Sequence, residues 1–107
     1  MKEVFGEDKE IMIRHICMFT LKEENKENNI VEFLNRAETL KELQMIKRFE
    51  VVRNVEGTPA SNYDVALIFD FDSVEALDEY QTAPTHLEFA KFVGSVRVDR
   101  ACIDYEI

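Results

Sequence analysis

The chain is short of cations, cysteine, glycine and proline, and the shortages narrow what it can do. Thirteen Lys and Arg against 22 Asp and Glu leave a net charge of −9 over 107 residues. Nucleic acids and anionic membranes are held by clustered basic side chains that neutralise phosphates, so neither is an expected partner. With three glycines in all there is no glycine-rich loop to cradle a phosphate. A Ser–His–Asp arrangement and metal-ligand spacing are missing too, and no cofactor or metal is expected. Two cysteines, Cys17 and Cys102, do not make a metal site alone. Each falls in a strand-like stretch, and both are read as buried free thiols of a cytoplasmic protein. The opening run MKEVFGEDKEI is acidic and has no long apolar segment, which argues against a secretory leader or a membrane span. No internal repeat points to a solenoid.

What is present is enough apolar material for one packed domain: 46% hydrophobic residues, including eight phenylalanines. Residues 1–11 look appended, either as a mobile arm or as a segment ahead of a start at Met12, and the domain is placed at 12–107. The first strand is predicted at Met12–Leu21. One parity carries Ile13, His15, Cys17, Phe19 and Leu21, and the other Ile16 and Met18, so both faces are covered. Asn29 is read as a helix cap with Glu32 three residues on, opening a helix over Ile30–Leu43 whose stripe is Ile30, Phe33, Leu34, Ala37 and Leu40.

Strands follow at Lys47–Val55 and Tyr63–Phe71. Asp72 or Ser73 caps a second helix burying Val74, Leu77 and Tyr80. Asp70 and Asp72 are read as part of this helix start, not as a metal site. Pro84 stops that helix and suits the first turn of the next, in which Phe89, Ala90 and Val93 face inward until Gly94–Ser95. A last strand is placed at Val98–Ile107. The order β-α-β-β-α-β predicts an α+β, ferredoxin-like antiparallel sheet with its helices on one face. Two crossover helices cannot cover Ile16, Met18, Val52, Ala66 and Ile68, so the bare faces of two copies are expected to meet in a homodimer.

In this order, three stretches resemble the stress-responsive alpha/beta barrel (Dabb) family: IRHICMFTLK at the start, DVALIFDFDSVEALDEYQTAPTH in the middle and VRVDRACIDYEI at the end, with its Asp104–Tyr105 pair. The resemblance covers Met12 to Ile107. It implies a ferredoxin-like fold that dimerises through its sheets into a barrel. The family includes stress-associated plant proteins and a few polyketide cyclases. In cyclase-like members, a Tyr and a His across the helix break and a His on the first strand are associated with catalysis. The matching positions here are Tyr80, His86 and His15. Where the family often has a second His before the proline, this chain has Ala83.

His15, Tyr80 and His86 are therefore the candidate catalytic residues, with Cys17, Phe19, Phe33 and Phe89 as the apolar ligand-binding wall. A histidine can take a proton from an acidic carbon while a phenol polarises a carbonyl. The alternative is an ordinary core containing a hydrogen-bonded His and Tyr. Three functions stay open: a stress-related dimer binding a small apolar molecule, a polyketide-cyclase-like acid–base enzyme, and, third, a cofactor-free monooxygenase of related fold.

Overall fold

The computed structural model describes residues 11–107. The N-terminal arm placed at residues 1–11 lies, apart from Ile11, outside them. Strand β1 spans Ile13–Leu21, helix α1 Lys26–Ala37, followed by a 3-10 turn over Glu38–Glu42, then β2 Arg48–Arg53 and β3 Val65–Phe71. Helices α2, Val74–Thr82, and α3, Pro84–Val96, lead into β4, Arg97–Glu106. The sheet is antiparallel in the order β2-β3-β1-β4. Among the described residues, no helix is long and apolar enough to cross a membrane.

Period-two alternation sets the core. On β1 the buried parity is Ile13, His15, Cys17, Phe19 and Leu21, and on β3 Val65, Leu67, Phe69 and Phe71. The helices close over this face with Ile30, Phe33 and Ala37 from α1, and Phe89, Val93 and Val96 from α3. Phe33 is the hub, its ring centroid 5.7 Å from Phe19 and 5.2 Å from Phe89. The other face carries Ile16, Met18, Ala66 and Ile68, none of them fully buried. At one end of it, Arg14 donates two hydrogen bonds, of 2.8 and 3.0 Å, to the buried carboxylate of Asp70. Asp70 thus belongs to a strand-face ion pair, not to the start of α2.

Several expected boundaries move. Helix α1 begins four residues before Ile30, with Asn25 as its N-cap at φ 58° and no side-chain capping bond. Asn29 is not a cap: its N–H already donates to the Asn25 carbonyl in the helical ladder. The first turn is polar all round, so no apolar period announces it. Glu32 binds Arg36 one turn later instead of reaching back. Ser73 does cap α2, accepting from the Ala76 N–H. Val74, expected in the core, is 56% exposed, and Ala76 packs there instead. Helix α3 continues through Gly94–Ser95 to the buried Val96 and passes into β4 without a loop.

The cysteines are the largest correction. Cys17 and Cys102 stand directly opposite each other on β1 and β4, with Cα atoms 4.2 Å apart, and their sulfurs are joined in a disulfide. Neither is a free thiol. The expectation of free thiols rested on each cysteine's own strand. The bond depends on the register between two strands that are distant in sequence.

Candidate functional site

The break at Pro84 builds the site. Ala83, just before the proline, is held extended at φ −66°, ψ 139°, which ends α2 and starts α3. Tyr80 on the last turn of α2 and His86 on the first turn of α3 are thereby folded against each other, with ring centroids 4.5 Å apart. The His15 ring lies 6.2 Å from the same phenol ring, centroid to centroid. All three line a cavity of about 330 Å³ between the sheet and α3, with Cys17, Phe19 and Phe89 beside them. Phe33, expected on the wall, does not line it. It is fully buried behind Phe19 and Phe89. Cys17 is on the wall, but as half of the bridge to Cys102.

The hydrogen bonds define the proton positions. His15 Nδ1 lies 2.5 Å from Asp104 Oδ1, and His86 Nδ1 lies 3.0 Å from the Gln81 carbonyl. Carbonyl and carboxylate oxygens only accept, so each Nδ1 carries the hydrogen and each neutral ring keeps its lone pair on Nε2. Burial first, then the positive charge of His15 when it is protonated and that of Arg100, hold the His86 pKa below its ordinary value, against the Gln81 hydrogen bond that raises it. His86 is therefore a neutral base near pH 7. Tyr80 is 1% exposed, and desolvation pushes its phenol well above the usual range, so it stays a donor. Its hydroxyl has no hydrogen-bond partner among the described residues.

Asp104 was not foreseen as a functional group. The sequence places it within the last strand, but its position opposite His15 needs the strand register. Arg97 and Arg100, which also line the cavity, were missed for the same reason. Among the described residues, the convergent metal-ligating atoms are those of His15, Cys17 and Cys102, within 4.8 Å of one another. With the sulfurs bonded to each other and Nδ1 committed to Asp104, only His15 Nε2 remains as a ligand.

The fold defines a class, the ferredoxin-like α+β proteins. More narrowly, residues 13–107 match the Stress Responsive A/B Barrel Domain, and the chain belongs to this Dabb family. It is similar to a Dabb family protein of ferredoxin-like fold from Mesorhizobium loti, with 27% identity over 89% of this chain and 95% of that one, TM-score 0.75. A dimeric protein of unknown function and ferredoxin-like fold from Bacteroides fragilis is 26% identical over 90% of this chain and 96% of its own, TM-score 0.75. A hydroxynitrile lyase from Passiflora edulis shares the fold at 20% identity, covering 90% and 93% of the two chains, TM-score 0.77. No curated protein matches the sequence.

Proposed function

We propose that the protein works as a homodimer that binds a small, largely apolar carbonyl compound in the cavity between sheet and helices. The Tyr80 hydroxyl carries this reading: a buried donor without a partner, at a cavity flanked by two imidazoles. Buried polar groups are almost always paired, and an unpaired one beside a cavity is explained by the acceptor that enters it. A carbonyl oxygen supplies that acceptor while the rest of the ligand meets Phe19, Leu67 and Phe89. A cavity of about 330 Å³ suits a compound of this size. The family description supports a stress-related role, and the dimeric Bacteroides fragilis neighbour supports the assembly.

Turnover is the second reading, favoured by the His15–Asp104 pair. A histidine oriented by a carboxylate, a second neutral histidine and a phenol are sufficient to remove a proton beside a carbonyl and stabilise the enolate, as a polyketide-type cyclisation requires. The lyase from Passiflora edulis places an enzyme within this fold.

Histidine ring resonances followed during titration with acetophenone test the binding reading. Bound ketone should shift the His15 and His86 signals together. In the free protein His86 should titrate with a midpoint below about 6.5, the ordinary value, because burial disfavours its cation. Acetophenone that moves neither ring at millimolar concentration would remove the carbonyl site.

A further inference from the structure

The rim of the cavity holds charge that carbonyl binding does not use. Arg97 and Arg100 both line it, from the start of β4. On a regular strand, residues three apart point to opposite faces. Here the register slips between Thr20 and Leu21: Phe19 stands opposite Arg100, while Leu21 stands opposite Arg97. Phe19 and Leu21 both face the helices. The irregularity therefore carries Arg97 round to the face that Arg100 already occupies. Bulges that re-aim a side chain at the edge of a site are a recurrent device.

Charge pairing singles out the same two residues. Every other arginine, Arg14, Arg36, Arg48 and Arg53, forms an ion pair with a carboxylate. Arg97 and Arg100 form none with a described residue, in a chain that carries 22 Asp and Glu. Arg100 lies near enough to His86 for its charge to bear on that imidazole. Two guanidinium groups thus share one side of a cavity whose interior donor is a neutral phenol.

We propose that the ligand is a keto acid or a similar carbonyl compound with a carboxylate, its carbonyl oxygen on Tyr80 and its carboxylate at Arg97 and Arg100. The planar guanidinium fork matches a carboxylate in shape as well as charge. This rests on the carbonyl-binding reading and adds the class of ligand.

The test compares benzoylformate with its neutral isostere benzoylformamide by calorimetric titration. Wild-type protein should bind the acid at least about tenfold more tightly at low ionic strength, and salt should erode the difference. The double substitution Arg97→Gln with Arg100→Gln should abolish the preference, bringing the acid to the same affinity as benzoylformamide. Arg97→Lys with Arg100→Lys, which keeps the charge, should retain most of it. Equal binding of the two probes by the wild type, or a preference that survives the glutamine pair, overturns the carboxylate assignment and leaves the carbonyl site standing. Binding of neither probe at millimolar concentration removes the carbonyl site and this assignment with it.

Discussion

Tyr80 shows how stability and function oppose each other at a single atom. Its ring packs among Phe69, Phe71, His15 and His86, so the aromatic body is core. The hydroxyl is desolvated and unpaired, a state that costs about 1–3 kcal/mol. Tyr80→Phe keeps the ring and removes that cost, so it should stabilise the ligand-free protein by roughly 1 kcal/mol while weakening acetophenone binding. Denaturant midpoints and a ketone titration measure the two effects. A variant that is less stable yet binds as before would make the hydroxyl a structural group. Tyr80 and His86 were legible from helical spacing around Pro84 and from the Dabb resemblance, and His15 from its strand parity. Asp104 was hidden, because a residue's cross-strand neighbour is set by pairing and not by its own local pattern. Phe33 was misplaced because an apolar stripe does not say which of its members stops at the core and which reaches a cavity.

Elements were most legible where one face is apolar and the other polar, and least where neither contrast exists. α3 has that contrast, while β1 and β3 are marked by short runs that are apolar on both parities and bounded by polar segments, and the sequence places all three to within a residue or two at most ends. The first turn of α1 is all polar, and its left-handed entry at Asn25 leaves no pattern. Helix α3 overruns Gly94 because Val96 behind it finds a place in the core, and burial outweighs the weak helix propensity of glycine. The pairing of β1 with β4 matters most for the site, since β4 supplies Asp104, Arg97 and Arg100. The Cys17–Cys102 bridge ties these strands across a sequence separation of 85 residues. Closing so long a loop restricts the unfolded chain, so reduction should lower stability by roughly 2–4 kcal/mol. Urea melts with and without dithiothreitol read that difference. Unreduced protein in which both cysteines react with a maleimide would rule the bridge out.

At the scale of the molecule, the proposed assembly follows from the open face of the sheet. Register lines up Ile103, Ile16 and Ile68 in one row across β4, β1 and β3, and Ala101, Met18, Ala66 and Val52 in the next, which reaches β2. Among the described residues no helix crosses this face, and Ile103 is left 59% exposed in the single chain. A contiguous apolar surface of this kind is a partner surface. Two-fold packing of one face on another buries it without a second protein, because the same rows meet their own copies. The strongly acidic chain opposes indiscriminate association, so contact is confined to where charge is sparse. Ile68, which ends its apolar row on the inner strand β3, is an informative position to change. Ile68→Lys puts an unpaired cation into the interface of each copy, a cost of about 3–5 kcal/mol per buried charge. A loss of 3 kcal/mol alone weakens association by roughly 150-fold. The variant should therefore run as a monomer, or precipitate, at micromolar concentrations where the wild type is expected to scatter light as a dimer. Arg36→Ala, on the helix side of the molecule, should leave the dimer intact and control for general effects of substitution. Wild-type protein that scatters as a monomer at micromolar concentration would end the sheet-to-sheet dimer, and the apolar rows would then need a different partner.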